Sequence, residues 1–182
     1  MVIGLIRHFK VDFRSDRKYF SPNDFSAAME RYENSPIIMD SIKINTADWD
    51  ICYCSTIRRA IETASHIYNG EIIYSDLITE VPVAPFINRN IKFPSFIWHL
   101  GGRIAWHKNH TSQPEGRSNT MKRIKLFMDA LEEYQHKKIL VVTHGFFMRV
   151  FSDHLVKNGF KGKIDFRPEN GKLYLFENKN AG

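Results

Sequence analysis

Short apolar runs alternate with amphipathic stretches along most of the chain. Runs that are rich in β-branched residues and too short for a helix predict buried strands. The predicted strands are residues 2–6, 50–55, 71–75, 137–143 and 172–177. Between the strands, apolar residues at three- and four-residue spacing predict amphipathic helices. The predicted helices lie within residues 55–68, 118–135 and 146–159.

This alternation of strands and helices predicts an α/β fold. Helices that connect parallel strands cover both faces of the sheet, which gives a three-layer α/β/α sandwich with a mostly parallel sheet. In such sheets, ligands bind beyond the carboxyl ends of the strands. The residues that follow each strand are therefore the candidates for function.

Two segments interrupt the alternation. The pattern of residues 21–36 predicts a short capped helix with a loop that borders the site. Residues 93–116 contain aromatic residues, a Gly-Gly pair and three histidines, which is typical of a folded excursion. We expect residues 84–117 to form a lid or a substrate-specificity insertion. With 182 residues, the whole chain 1–182 is predicted to form a single domain.

Charge and cysteine content narrow the class of protein. Lysine plus arginine number 26 against 20 for aspartate plus glutamate, so the net charge is +6. This excess attracts anionic ligands or nucleic acid, but the basic residues are scattered, so nucleic-acid binding is not predicted. No apolar run approaches the roughly 20 residues that span a bilayer, so no membrane segment is predicted. Cys52 and Cys54 have the spacing of plain strand residues, which indicates a reducing compartment, by default the cytoplasm.

Basic and imidazole side chains follow three of the predicted strands. They are Arg7 and His8 after the first strand, Arg58 and Arg59 after the second, and His144, next to Gly145, after the fourth. A single histidine after a strand is usually structural, but together these groups predict a positively charged pocket rich in donors. Neutral imidazole is a nucleophile near pH 7, and guanidinium offers paired donors to phosphoryl oxygens. This combination predicts phosphoryl transfer through a phosphohistidine.

Three sequence boxes contain these groups: LIRHFKVD, CSTIRRAIETA and ILVVTHGFFMRV. They resemble, in this order, the L-x-R-H-G, S-x-x-x-R-A-x-x-T-A and V-V-x-H-G-x-x-x-R boxes of the histidine phosphatase superfamily, which includes the cofactor-dependent phosphoglycerate mutases. The order and distances match those of the family, and the resemblance spans nearly the whole chain. It implies a phosphoglycerate mutase-like fold and a phosphatase that hydrolyses phosphomonoesters.

The resemblance implies a role for each matched residue. His8 is the expected nucleophile that takes the phosphoryl group, and Arg7 beside it is expected to hold phosphate oxygens. Arg59 stands where the family has its second phosphate-binding arginine. His144 is expected to stabilise the transferring group in the transition state, and Gly145 to contact the phosphate.

A leaving alkoxide also needs a proton, so a general acid is expected near His8. The family often has a glutamate after its third strand in an L-x-E context, and Glu80 has that place in DLITEVPV. The resemblance implies that Glu80 protonates the leaving oxygen and then helps to activate the hydrolytic water. Asp76, Asp12 and Glu115 are the alternatives.

Three positions raise separate questions. Phe9 replaces the glycine of the first box, and its ring is expected to wall the pocket and narrow the range of substrates. The alternative is that crowding at the nucleophile marks a chain whose chemistry has decayed. Arg14 stands where many members have an asparagine that touches phosphate, and it is interpreted either as a third phosphate contact or as a surface residue. Arg58 is interpreted as a solvated surface residue.

Metal binding and aromatic stacking are the remaining possibilities. His99, His107 and His110 lack the clustered carboxylates or cysteines of a metal site, so neither a metal nor a cofactor is predicted. Trp98 and Trp106 are interpreted as core residues, with shielding of the pocket as the alternative. A small phosphorylated substrate is the expected partner.

Two rival functions stay open at the level of sequence. A mutase-like phosphotransferase is disfavoured, because the mutases carry longer insertions that enclose the substrate and this chain is short. A non-catalytic phosphoanion-binding protein is supported by Phe9, but such a protein does not need the nucleophile His8. The sequence predicts neither the natural substrate nor the oligomeric state.

Overall fold

The computed structural model describes residues 1–40, 42 and 44–178. The described chain groups into two compact units. The first, which we call the sheet unit, contains Met1–Lys10, the described part of Ile37–Glu80, and the described residues from Arg123 onward. The second, the hairpin unit, contains Val11–Pro36 and Val81–Lys122.

The elements follow the predicted pattern closely. The strands are β1 Val2–Arg7, β2 Tyr19–Phe20, β3 Ile51–Ser55, β4 Ile72–Ser75, β5 Phe93–Pro94, β6 Lys138–Thr143, β7 Lys161–Gly162 and β8 Leu173–Glu177. The α-helices are α1 Pro22–Asn34, α2 Arg58–Ile67, α3 Ser95–His107, α4 Arg117–Ala130 and α5 Gly145–Lys157. Short 3-10 helices occupy Thr46–Asp48, Asp76–Ile78 and Glu132–Tyr134. Every predicted strand and helix is therefore confirmed, with small shifts at the ends.

The sheet unit is built on a six-stranded sheet in the order β4-β3-β6-β1-β8-β7. The strands β4, β3, β6 and β1 are parallel to one another, whereas β8 is antiparallel to β1 and to β7. Arg7 is in register with Thr143, and Ser55 is in register with Ser75. The carboxyl ends of the four parallel strands therefore meet at one edge, as the α/β prediction requires.

Helices cover both faces of this sheet. On one face, Cys52 and Cys54 of β3 belong to the same core cluster as Ala60 and Ala64 of α2. On the opposite face, Tyr53 of β3 meets Phe127 of α4 at 5.3 Å between ring centroids, and Phe127 in turn meets Phe151 of α5 at 5.7 Å. This arrangement confirms the three-layer sandwich. Cys52 and Cys54 are buried free thiols, and burial raises the pKa of Cys52 to about 12.

The hairpin unit contains the two segments that interrupt the predicted alternation. Strands β2 and β5 pair in antiparallel register, and α1 begins with a capping box between Ser21 and Asp24. Trp98 of α3 is fully buried and donates its indole N–H to the carbonyl of Phe20 at 2.8 Å. Trp106 is also buried and donates to Thr120 Oγ1 at 2.9 Å, so the interpretation of both tryptophans as core residues is confirmed.

The roles assigned to these segments stay predictions. Residues 84–117 belong to the hairpin unit and contain α3, but their action as a lid is a property of motion. The single-domain prediction concerns cooperative folding and stays a prediction. None of the helices in the described ranges has the length and apolar content needed to cross a bilayer.

Candidate active site

His8, the predicted nucleophile, lies directly after β1, at the carboxyl edge of the sheet. His8 is 1% exposed, and its backbone N–H donates to the carbonyl of Thr143 at 2.9 Å. Its ring Nδ1 is 2.6 Å from the carbonyl of Phe9, and its Nε2 is 3.1 Å from Nε of Arg59. A carbonyl only accepts and a guanidinium only donates, so the ring proton is assigned to Nδ1. The lone pair of His8 is therefore on Nε2.

Burial keeps this imidazole uncharged. The loss of solvation is the main cause, followed by the charge of Arg59, and together they lower the pKa of His8 to about 3. At neutral pH the ring is the neutral form, which is the form that acts as a nucleophile.

Arg7 lies at the same edge of the sheet, next to the start of α5. Its Nη1 donates to the carbonyl of Pro168 at 2.9 Å. Its Nε is buried and has no hydrogen-bond partner within the described part of the chain. A side-chain carbon at Gly145 would lie 3.0 Å from that Nε, so glycine leaves room for the guanidinium beside the start of α5. The structure thus brings Arg7 and Gly145 together, and their contact with phosphate stays a prediction.

His144 lies between β6 and α5 and is fully buried. Its ring centroid is 5.1 Å from that of His8, and its Nε2 is 2.7 Å from Oγ of Ser55. The Ser55 hydroxyl accepts the backbone N–H of Ile57 at 3.2 Å, and we assign its own proton to the hydrogen bond with His144 Nε2. We therefore assign the ring proton of His144 to Nδ1, which is buried and lacks a partner among the described residues.

The pKa of His144 is also displaced. Burial is the largest cause, followed by the neighbouring His8 and Arg59, and together they hold the pKa well below its usual value. The two buried rings are therefore neutral, and the positive charge of this edge comes from the arginines.

Glu80 lies at the amino end of α5. Its two carboxylate oxygens accept the backbone N–H groups of Phe146 at 3.3 Å and Phe147 at 2.9 Å. The first N–H groups of a helix have no partner within the helix, so a carboxylate is well placed there. This contact puts Glu80 beside Gly145, on the same helix end that follows His144.

The alternative acids and Arg14 do not all belong to the same unit. Arg14 is exposed and belongs to the hairpin unit, as do Asp12 and Glu115. Asp76 is exposed and accepts a hydrogen bond from Thr56 Oγ1. The phosphate-contact role of Arg14 stays a prediction.

Arg58 and the histidines of the excursion make other contacts. Arg58 forms an ion pair with Glu62 at 3.3 Å and its side chain is exposed, which confirms the surface interpretation. The ring of His99 packs against Phe25 at 5.1 Å, and Nδ1 of His110 is 3.0 Å from Oγ of Ser112. Within the described ranges, no three His, Cys, Asp or Glu side chains are grouped so as to hold a metal ion.

The expectation for Phe9 is wrong. Its ring is 1% exposed and belongs to the core cluster between the sheet and α2, with an edge-on contact to His66 at 5.6 Å. The ring therefore fills the core instead of walling a pocket. Its backbone stays in the site, because its N–H donates to Thr63 Oγ1 at 2.9 Å and its carbonyl faces His8 Nδ1.

Several supporting residues were not found from the sequence. Asn170 Nδ2 donates to the carbonyl of His8 at 2.7 Å, and the N–H of Gly171 donates to the carbonyl of Arg7 at 2.8 Å. Thr63 Oγ1 donates to the carbonyl of Arg59 at 2.7 Å while it accepts from Phe9. Thr63 is part of the second box, so the resemblance could have drawn attention to it. Asn170 carries no local signal, because its partner is at the other end of the chain.

A comparison with family profiles supplies the class of protein. Residues 3–182 match the profile described as histidine phosphatase superfamily (branch 1), so this chain belongs to that superfamily. No curated protein matches the chain.

Solved structures show the same fold. Phosphoserine phosphatase from Entamoeba histolytica, solved with 3-phosphoglyceric acid, is 18% identical with a TM-score of 0.56, over 97% of this chain and 90% of that one. The α-ribazole phosphatase from Shigella flexneri is 16% identical with a TM-score of 0.55, over 96% of both chains. A mycobacterial glucosyl-3-phosphoglycerate phosphatase is 16% identical with a TM-score of 0.50, over 86% of this chain and 79% of that one.

Proposed function

We propose that this protein hydrolyses a phosphomonoester through a phosphohistidine on His8. The observation that carries the proposal is the state of the His8 ring. Its Nδ1–H is committed to the carbonyl of Phe9, and its Nε2 faces Arg59. A neutral ring with its lone pair among guanidinium groups is suited to attack an anionic phosphoryl group.

The donors around His8 support the binding of that phosphoryl group. Arg7 Nε and His144 Nδ1 are buried donors without partners in the described chain. A buried donor costs free energy unless it is paired, so an anion in contact with both would be favoured. Phosphoryl oxygens are stronger acceptors than a neutral imidazole. Arg59 would therefore move its Nε–H to the phosphate and free the lone pair of His8.

The first chemical step is an in-line displacement. His8 Nε2 forms a bond to phosphorus while the bond from phosphorus to the leaving oxygen breaks. Arg7, Arg59 and His144 donate to the equatorial oxygens as charge develops on them. Glu80 enters this step protonated and gives its proton to the leaving oxygen, so the product departs as an alcohol and Glu80 is left as a carboxylate at the start of α5.

The second step regenerates the protein. A water molecule attacks phosphorus and the bond to Nε2 breaks, which restores the lone pair of His8 and releases inorganic phosphate. Glu80, now deprotonated, takes a proton from that water. No resident cofactor enters either step, and the free thiols of Cys52 and Cys54 support a reducing compartment, the cytoplasm.

The position of Phe9 weakens the binding-only alternative. That alternative depended on crowding at the nucleophile, whereas the Phe9 ring lies in the core.

Turnover of an aryl phosphate tests the proposal. The wild type is expected to release phosphate and, after an acid-free quench, to carry an acid-labile phosphoryl group. His8→Ala should lose both, while His136→Ala, which removes an exposed histidine of the sheet unit, should keep both. Equal rates for wild type and His8→Ala would refute the phosphohistidine route.

A further inference from the structure

Arg123, which lies outside the three sequence boxes, forms hydrogen bonds with the segment that precedes Glu80. Arg123 lies on α4, and its Nη1 is 2.8 Å from the carbonyl of Leu77 and 3.2 Å from the carbonyl of Thr79. The same nitrogen also lies 3.3 Å from the carbonyl of Asp76 and 3.2 Å from Thr79 Oγ1. These acceptors belong to the 3-10 turn and the residue that directly precedes Glu80.

The remaining carbonyl of this turn is fixed from another side. Thr143 Oγ1, at the end of β6, donates to the carbonyl of Ile78 at 2.5 Å. The carbonyl oxygens of successive residues are negatively polarised and point out of the turn, so one cation can contact several of them. Arg123 and Thr143 together hold every carbonyl from residue 76 to residue 79.

Arg123 also reaches the helix end that receives the Glu80 carboxylate. Its guanidinium lies 5.4 Å from the centre of the Phe147 ring, which is within the range of a cation–π contact. The backbone N–H of the same Phe147 donates to Glu80 Oε1 at 2.9 Å. One guanidinium thus contacts both the segment before Glu80 and the residue that binds its carboxylate.

We propose that Arg123 is a positioning residue for Glu80, which holds the carboxylate at the start of α5 where the leaving group departs. Lysine is a poor substitute, because its compact ammonium group lacks the planar surface that packs on the Phe147 ring. The inference rests on the proposed role of Glu80 as the proton donor.

Amide hydrogen exchange tests the positioning without any need for activity. In Arg123→Met, the N–H groups of Phe146 and Phe147 should exchange about tenfold faster, because the Glu80 carboxyl group that accepts from both is no longer held in place. Amides in the centre of β6 should keep their wild-type rates. Lys125→Met, which removes an exposed cation from the same helix, should leave Phe146 and Phe147 unchanged.

Activity with two leaving groups gives the second arm of the test. Arg123→Met should lower the rate of His8 phosphorylation about tenfold or more with an alkyl phosphate, whose leaving group needs a proton, and less than about twofold with p-nitrophenyl phosphate. Arg123→Lys should recover part of the loss. The double variant with Glu80→Gln should be no slower than Glu80→Gln alone.

The two arms separate the two proposals. Faster exchange without any turnover by the wild type would overturn the proposed function and leave the positioning role intact. Wild-type exchange at Phe146 and Phe147 in both Arg123→Met and Arg123→Lys would overturn the positioning role. An equal loss of the His8 phosphorylation rate with both substrates would overturn it as well, because a general structural defect acts on both. If Arg123→Met does not fold, the same two measurements on Arg123→Lys test the positioning role.

Discussion

At the scale of single residues, the burial of His8 makes the protein sensitive to acid. The unfolded chain binds a proton on this histidine below about pH 6.5, whereas the folded chain does so only near pH 3, since its pKa is lowered to about 3. Above pH 6.5 the ring is neutral in both states, so this group does not lower the free energy of unfolding. Below pH 6.5 the free energy of unfolding falls as the pH drops toward 3, because only the unfolded chain binds the proton.

The acid sensitivity predicts a measurable slope. Between pH 6.5 and 4, His8 should contribute about 1.4 kcal/mol per pH unit to the loss of stability. Urea unfolding at several pH values should show a shallower slope for His8→Ala than for wild type. His136→Ala, which changes an exposed residue, is the matched control. Identical slopes in wild type and His8→Ala would contradict the buried neutral state.

Glu80 gives a second residue-scale prediction. Glu80→Gln removes the proton donor but keeps a side chain of the same size at the start of α5. Turnover of alkyl phosphates should fall by roughly 10²- to 10⁴-fold, whereas phosphorylation of His8 by p-nitrophenyl phosphate should change little. Stopped-flow kinetics with both substrates measures the difference. Full activity on alkyl phosphates would assign the acid to another residue.

At the scale of elements, Phe9 joins the end of β1 to the face of α2. Its ring is packed in the cluster that includes Ala60 and Ala64, so Phe9→Ala should leave a cavity. We expect the free energy of unfolding to fall by about 3 to 5 kcal/mol, and by less than about 1.5 kcal/mol for Phe9→Leu. The ratio of KM values for large and small substrates should stay constant. A changed ratio at unchanged stability would restore the interpretation of Phe9 as a pocket wall.

The sequence predicted these elements well because their signals are local. Apolar runs and three- to four-residue spacing depend on neighbours along the chain, and they indicated every strand of the parallel part of the sheet. The direction of the Phe9 ring does not follow from such local signals. A box match gives the position of a backbone, but the packing of the sheet against α2 decides where its side chain goes.

At the scale of the whole molecule, the single-domain prediction is open to test. The chain passes between the sheet unit and the hairpin unit four times, at residues 10–11, 36–37, 80–81 and 122–123. Segments that are interleaved in this way cannot be separated by one cut in the chain. We therefore expect one cooperative transition in differential scanning calorimetry, with equal calorimetric and van't Hoff enthalpies. Two resolved transitions would contradict it.

The sequence by itself determined the α/β class and predicted the edge of the sheet at which His8, Arg59 and His144 meet, because strand ends and box spacings are local features of the chain. The tertiary structure decided which groups the ring nitrogens of His8 and His144 face, where the Phe9 ring packs, and that Asn170 and Arg123 contact backbone carbonyls around these residues. These depend on contacts between residues far apart in sequence, such as Asn170 with His8 and Arg123 with Leu77. Such contacts exist only once the sheet and its helices have assembled.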